Sequence, residues 1–115
     1  MFEGDWEAAA YYGELHKIKA MKSAGANVNY KTRRTHFTAL ILAAQEGHED
    51  VVKYLLANGA DVNHKTREGM TALYTASKRG HRVIVNLLLA NGAEYGEDKV
   101  RRYLIYVHPR QYHIR

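Results

Sequence analysis

Histidine is the residue type of this chain best suited to binding a metal ion, and the chain has 7 of them. They lie at positions 16, 36, 48, 64, 81, 108 and 113. Zinc ligands on a helix are usually four residues apart, or they lie close together in a loop. No pair has that spacing, because even His108 and His113 are five residues apart across Pro109. The sequence therefore predicts no metal site, and we expect His48 and His81 to form hydrogen bonds with the backbone.

Residue patterns that support catalysis are also missing from the sequence. The chain has no cysteine, no glycine-rich phosphate loop, no Gly-x-Ser-x-Gly turn and no pair of acidic residues inside an apolar stretch. We therefore predict a protein that is not an enzyme and that uses no cofactor.

Basic and aromatic residues alternate near the C-terminus, a pattern that can neutralise phosphates and stack on bases. The tyrosines are Tyr103, Tyr106 and Tyr112, and the arginines are Arg101, Arg102, Arg110 and Arg115. The formal net charge of +5 belongs to residues 99–115, because the basic and acidic residues of 1–98 cancel. A nucleic-acid interface needs charge spread over a face. Binding of an anion or RNA through this segment is therefore the alternative function, ranked below protein binding.

The glycines show that the chain contains a repeat. Gly13, Gly47 and Gly80 are 34 and 33 residues apart, and the glycines at 25, 59 and 92 follow the same two steps. Self-similarity at such a period predicts a stack of like units. We place repeat one at about residues 5–30, repeat two at 31–64, repeat three at 65–96, and a C-terminal cap with a basic tail at 97–115, all within one domain of 1–115.

Each unit is predicted to contain two short helices and an extended polar hairpin. The first helix, over 38–46 or 71–79, has small residues such as Ala43 and Ala44 that let neighbouring helices approach closely. The second helix has an apolar stripe, with Leu55 and Leu56 as its last members in repeat two. An Asn-Gly pair ends it, because glycine adopts a positive φ without a steric penalty.

Residues 38–63 resemble the ankyrin repeat family in their threonine-led first helix, Gly-His turn, leucine-rich second helix and Gly-Ala-Asp-Val-Asn hairpin. The resemblance covers about residues 5–96 and implies an all-α repeat solenoid, a stack of helix-turn-helix-hairpin units. Two departures are Ala39 and Ala72 where the family usually has proline, and Ile41 and Tyr74 where it usually has histidine. The chain also resembles designed ankyrin binders in lacking cysteine, whereas its unlike repeats favour a natural or heavily redesigned sequence, so its origin stays open.

The two ends of a repeat stack must each present a polar face to water. Lys17 and Lys22 stand where repeat two has Val51 and Leu56, so repeat one is predicted to be the polar N-terminal end. Trp6 aligns with leucines of the later repeats and is predicted to lie in the core.

At the C-terminal end the predicted last helix keeps Val83 and Leu87, which are apolar and need a cover. Residues at helical spacing follow: Val100, Tyr103, Leu104 and Val107. They predict a divergent C-terminal capping helix that Pro109 ends.

The resemblance implies a concave binding surface lined by the inner helix ends and the hairpins. The candidate residues before the turn glycines are Tyr11, Tyr12, Gln45, Glu46, Lys78 and Arg79, and those of the hairpins are Lys31, Arg33, Arg34, Phe37, Lys65, Arg67 and Met70. Exposed aromatic residues, methionine and arginine are enriched where proteins bind proteins. We therefore predict a protein-recognition module with aromatic anchors near the N-terminus and arginines along the hairpins.

The first hairpin is one residue longer than the second, as KTRRTHFTAL against KTREGMTAL shows. It lacks the expected glycine, so Thr35 or His36 must take that place in the turn. Arginine pairs bidentately with carboxylate or phosphate. The enlarged basic tip therefore predicts a partner protein with an acidic or phosphorylated patch.

The composition fits a single globular domain, with 115 residues, 46% of them hydrophobic and 25% charged, and one proline. The longest nearly uninterrupted apolar run, 83–90, is far shorter than the ~20 residues that a membrane span needs. The sequence has no basic-then-apolar leader. We expect an intracellular monomer with no membrane partner.

Overall fold

The computed structural model describes residues 4–95, which form three pairs of antiparallel helices and contain no strand. The helices are α1 (Asp5–Tyr12), α2 (Leu15–Ser23), α3 (Ala39–Glu46), α4 (Glu49–Ala57), α5 (Ala72–Arg79) and α6 (Arg82–Ala90). Each pair is followed by a hairpin-shaped segment that leads into the next pair. The predicted all-α repeat fold is confirmed.

The helices lie in two layers. The inner helices α1, α3 and α5 pack side by side in that order, and the outer helices α2, α4 and α6 form the second layer against them. Ala43 and Ala44 of α3 are fully buried between neighbouring inner helices, which fits their small side chains. Leu55 of α4 is also fully buried, and Trp6 is 1% exposed, so the prediction that Trp6 lies in the core is confirmed.

Threonine caps begin the two later inner helices. The hydroxyl of Thr38 accepts from the N–H of Ile41 at 3.4 Å, and that of Thr71 accepts from the N–H of Tyr74 at 3.1 Å. Both threonines have extended backbone, so each helix begins one residue later than the sequence predicts. The hydroxyl satisfies one of the backbone donors that a helix start leaves free.

The turn histidines join successive repeats. His48 Nε2 donates to the carbonyl of Tyr11 at 2.7 Å, and His81 Nε2 donates to the carbonyl of Gln45 at 3.0 Å, as the sequence predicts for both imidazoles. Each ring lies over the turn glycine of the preceding repeat. A Cβ on Gly13 would be 2.5 Å from Nδ1 of His48, so this contact needs a residue without a side chain.

Asparagine side chains form a second connection between repeats. Asn29 donates through Nδ2 to the carbonyl of Gly59 at 3.0 Å and accepts through Oδ1 from the N–H of Asp61 at 2.7 Å. Asn63 makes the equivalent pair of bonds to the carbonyl of Gly92 and the N–H of Glu94. The hairpins therefore keep the same register from one repeat to the next.

The two ends of the stack differ in polarity. At the N-terminal end Lys17 is exposed and Lys22 is half-buried. At the C-terminal end Val83 is 45% exposed, and Leu87 is half-buried. The predicted capping helix and the basic, tyrosine-containing tail lie outside the described residues.

Candidate binding surface

Two adjacent tyrosines end the first inner helix. Tyr11 and Tyr12 are the last residues of α1, and their side chains are 41% and 70% exposed. The two rings meet edge to face, with centroids 5.0 Å apart and planes at 80°. Aromatic pairs prefer this arrangement. The end of α1 therefore presents two rings to solvent in a favourable mutual orientation.

An ion pair joins the ends of the other two inner helices. Arg79 Nη1 lies 3.5 Å from Glu46 Oε2, and Gln45 Nε2 donates to the same oxygen at 3.0 Å. Gln45 and Glu46 are half-buried, whereas Arg79 is exposed. Since this ion pair uses one end of the guanidinium, Arg79 keeps donors that can bind a partner.

Tyr74 and Lys78 extend this region along α5. Lys78 Nζ lies 5.9 Å from the centroid of the Tyr74 ring, within the range of a cation–π attraction. The ends of α1, α3 and α5 are neighbours because these helices pack in sequence. We call the residues at these ends the helix-end cluster: Tyr11, Tyr12, Gln45, Glu46, Lys78 and Arg79.

The first hairpin closes through Thr32 and His36. The Thr32 N–H donates to the carbonyl of Phe37 at 3.0 Å, and the Thr32 carbonyl accepts from the N–H of His36 at 2.9 Å. The two hydroxyls of Thr32 and Thr35 are 2.7 Å apart. His36 has φ 59, in the left-handed region. Of the two residues that the sequence leaves open, His36 therefore takes the place of the missing glycine.

The second hairpin is hydrogen-bonded to the first at its tip. The N–H of Arg67 donates to the carbonyl of Thr35 at 3.1 Å. His64 Nε2 donates to the carbonyl of His36 at 2.8 Å. Because these bonds join consecutive residues of the first hairpin to the second, the two tips form one platform.

Exposed basic side chains cover this platform. We call them the hairpin-tip cluster: Lys31, Arg33, Arg34, Lys65 and Arg67. Within residues 4–95 none of the five forms an ion pair. The two tips, residues 31–37 and 64–70, contain one acidic residue, Glu68. The platform therefore has an excess of uncompensated positive charge.

The imidazole of His36 responds to this charge. Partial burial, and after it the positive charges of Lys31, Arg67 and His64, lower the pKa of His36 below its ordinary value of 6.5. At neutral pH the uncharged form of the ring is therefore favoured, and a bound anion would favour its protonation.

The structure places the remaining hairpin candidates differently from the exposed positions expected of them. Phe37 is half-buried and packs against the core, and Met70 is half-buried. Each directly precedes the threonine that caps an inner helix, so the chain is already turning inward there.

The helix-end and hairpin-tip clusters lie at opposite ends of the inner helices. An inner helix such as α3 begins beside the first hairpin and runs for 8 residues before it reaches Glu46. At 1.5 Å per residue this separates the clusters by roughly 12 Å. A partner that contacts both must therefore span the length of an inner helix.

Two residues of this surface were not predicted. Tyr74 could have been found from its position four residues before Lys78 on one helix. His64 has no such local pattern, because its role depends on how the second hairpin aligns with the first.

The described part of the chain offers neither a metal-binding cluster nor a membrane-spanning helix. Across 4–95, no group of three or more histidine, aspartate or glutamate side chains could hold a metal ion. The helices of this region are all too short or too polar to cross a membrane.

Comparison with known proteins identifies the architecture. A family model described as ankyrin repeats, in three copies, matches residues 6–99. The chain is 36% identical over 62 residues to the ankyrin repeat and KH domain-containing protein mask-1 of Caenorhabditis elegans, covering 54% of this chain and 2% of that protein. It is 41% identical over 61 residues to ankyrin repeat and SOCS box protein 2 of Bos taurus, covering 51% of this chain and 10% of that protein.

A solved structure agrees with these relatives. The ankyrin repeat domain of human ASB11 superposes with a TM-score of 0.76 at 36% identity, and the match covers 81% of this chain and 42% of that domain. The chain thus spans a small part of the relatives and under half of the solved domain. With three repeats matched by the family model and the helix pairs stacked as described, the chain belongs to the ankyrin repeat family.

Proposed function

We propose that this chain is a non-enzymatic recognition module that binds a partner protein through its helix-end and hairpin-tip clusters. Ankyrin repeats are in general protein-interaction modules rather than enzymes. The observation that carries the proposal for this surface is the exposed tyrosine pair at the end of α1. Tyrosine is enriched among the residues that dominate binding energy, because it buries a large area with few rotatable bonds.

The charge of the hairpin tips supports a partner with an acidic or phosphorylated patch. Five exposed cations lie there without an ion pair in the described residues. Complementary charge speeds association and excludes partners of the wrong sign. The partner is then expected to place an apolar or aromatic contact against the tyrosines and an anionic one about a helix length away.

The test compares capture of proteins by the wild-type chain and by Tyr11→Ala with Tyr12→Ala. A protein that the immobilised wild type retains from a cell lysate is identified, purified and titrated directly. We expect the double variant to bind at least about tenfold more weakly, since truncating a tyrosine anchor costs roughly 2 kcal/mol or more. Its melting temperature should stay within about 4 °C of wild type, because both side chains are exposed.

Tyr95→Ala is the matched control, because Tyr95 has the same 41% exposure as Tyr11 but lies after α6, away from the end of α1. It should retain the wild-type affinity. Unchanged binding of the double variant would refute the proposed contact. A large drop in its melting temperature would show instead that the tyrosines support the fold.

A second function is favoured by one observation, the confinement of the net charge of +5 to residues 99–115. Anion or RNA binding through this segment would make affinity fall steeply with salt. Titration of a single-stranded RNA at two salt concentrations tests this function, and an affinity that does not change with salt would refute it.

A further inference from the structure

We propose that the junction between the two hairpin tips binds the phosphate monoester group of a phosphorylated segment of the partner protein. This inference rests on the proposed function and narrows its acidic or phosphorylated patch to one chemical group. It places that group next to Thr35 and Arg67, where the hairpins are bonded to each other.

The first step is that charges from both hairpins are held at one place. The Arg67 N–H donates to the Thr35 carbonyl at 3.1 Å, so the tip arginine of the second hairpin lies beside the tip of the first. His64 Nε2 also donates to the carbonyl of His36 at 2.8 Å, so the residue after Thr35 in the first hairpin is held against the second hairpin as well. A ligand at this junction therefore meets cations from both hairpins without either hairpin having to move.

The second step is that this charge has no acidic partner among the described residues. Five exposed basic side chains share the tips with the single carboxylate of Glu68, and none of the five is in an ion pair within the described residues. Of the charged groups on the two hairpins, Lys31, Arg67 and His64 act on His36 strongly enough to help hold its pKa down. Crowded cations destabilise one another, and a bound dianion relieves that repulsion.

The third step distinguishes phosphate from carboxylate. A phosphate monoester carries nearly two negative charges at neutral pH and three acceptor oxygens, whereas a carboxylate carries one charge and two oxygens. Guanidinium groups from both hairpins, such as those of Arg34 and Arg67, can pair with separate oxygens of one phosphate. The backbone N–H groups of residues 33–35 also donate to no acceptor among the described residues, which leaves further donors at the tip.

The fourth step distinguishes a phosphopeptide from a nucleic acid. A nucleic acid offers singly charged phosphodiesters along a line, and its binding needs cations spread along a face. Among the described residues, five cations without an ion pair share the two bonded hairpin tips, whereas others, such as Lys53, Lys78 and Arg82, lie on separate helices. At the far end of the inner helices, Arg79 is already paired with Glu46. The distribution therefore suits one compact dianion better than an extended polyanion.

The experiment titrates the full chain with three labelled peptides of glycine and alanine that differ at their central residue. The central residue is phosphoserine, glutamate or serine, and binding is followed by fluorescence anisotropy. We expect the phosphoserine peptide to bind and the other two to bind at least about tenfold more weakly. The double variant Arg34→Gln with Arg67→Gln should weaken phosphopeptide binding by at least about tenfold, as loss of charge-assisted hydrogen bonds predicts.

The control is Arg82→Gln, which removes the same charge from an exposed arginine at the start of α6, one inner-helix length from the hairpins. Its affinity for the phosphopeptide should stay within about twofold of wild type. Because all three arginines are exposed, circular dichroism melts are expected to show that each variant folds.

A second readout locates the site. NMR titration of the His36 ring should show its pKa rising when the phosphoserine peptide is bound, because a nearby dianion favours the imidazolium form. The proposal is overturned by any of four results: no phosphopeptide binding, equal binding of the glutamate peptide, an equal loss in Arg82→Gln, or tighter binding of a short single-stranded RNA. Partner capture that still depends on Tyr11 and Tyr12 would show that the proposed function survives such a failure.

Discussion

His36 combines a strained backbone with a titratable side chain, and both properties arise at a single position of the first hairpin. Within residues 4–95, His36 is the one non-glycine residue with a positive φ, which is 59°. The equivalent turn of the second hairpin has Gly69, with φ 80. Histidine is tolerated there because the neighbouring bonds of the Thr32 and His36 backbone hold the turn closed.

The titration of His36 predicts how stability depends on pH. Partial burial and the charges of Lys31, Arg67 and His64 lower the pKa of His36 in the folded state below the value of 6.5 that the unfolded chain has. The unfolded state therefore binds a proton more readily, so the free energy of unfolding falls as the pH drops through and below about 6.5. In His36→Gly this fall should be smaller, because glycine keeps the positive φ and removes the imidazole.

Urea denaturation at several pH values checks this prediction. His16→Gln is the control, because His16 is exposed on the outer helix α2, away from both hairpins, and this variant should follow the pH dependence of wild type. An identical pH dependence in wild type and in His36→Gly would show that the His36 imidazole does not contribute.

At the scale of the helix pair, the sequence predicted positions well because the relevant pattern is local. In repeats two and three the apolar stripe of the outer helix and the Asn-Gly pair lie within a few residues of one another, and each of these outer helices does end at that pair. The inner helices of repeats two and three fall within one residue of their predicted bounds. Thr38 and Thr71 were predicted as first helical residues, yet they serve as caps. A threonine at this position can be the first helical residue or the cap before it, and the sequence pattern alone does not distinguish these two roles.

The candidate site was less predictable because it depends on contacts between repeats. Phe37 is half-buried because the chain turns into α3 immediately after it, and His64 bonds to His36 because the two hairpins align in register. The bond of His64 leaves no pattern inside one repeat. The hairpin basic residues, by contrast, were correctly expected to be exposed, since charged side chains at a turn seldom find a buried partner.

The turn between the helices of a pair permits a test that separates backbone conformation from close packing. Gly47 and Gly59 have similar positive φ values, 82° and 87°. A Cβ on Gly47 would lie 2.9 Å from Cε1 of His81, whereas a Cβ on Gly59 would meet nothing within 4 Å. Gly47→Ala should therefore lower the free energy of unfolding by about 1 kcal/mol or more beyond the loss in Gly59→Ala, because of overpacking against the imidazole.

Chemical denaturation of the two alanine variants measures this difference directly, and Gly59→Ala serves as the control for the strain of a positive φ. Equal losses in the two variants would mean that the His81 ring moves aside at no cost. In that case the histidine bond to the preceding repeat would be weaker than its 3.0 Å distance to the Gln45 carbonyl indicates.

At the scale of the whole molecule, a short repeat stack needs a cover over the apolar face of its C-terminal repeat. The N-terminal end is polar, with Lys17 exposed, but α6 presents Val83 at 45% exposure next to the half-buried Leu87. A terminal repeat without a polar outer face lowers solubility. We propose, from the spacing of Val100, Tyr103, Leu104 and Val107, that residues 97–107 cover this face and that the chain is a monomer.

Truncation of the chain tests this cover. Ending the chain after Asp98 removes the whole stripe, and we expect the product to aggregate or to lose several degrees in melting temperature, because Val83 and Leu87 then face water. Ending it after Pro109 keeps the stripe and removes the arginines at 110 and 115, so this control should melt and scatter light like the full chain. If the shorter product instead stays monomeric and melts like the full chain, residues 99–115 do not cap the stack. If the full chain is a dimer and the chain that ends at Asp98 is a monomer, the stripe joins two copies of the chain.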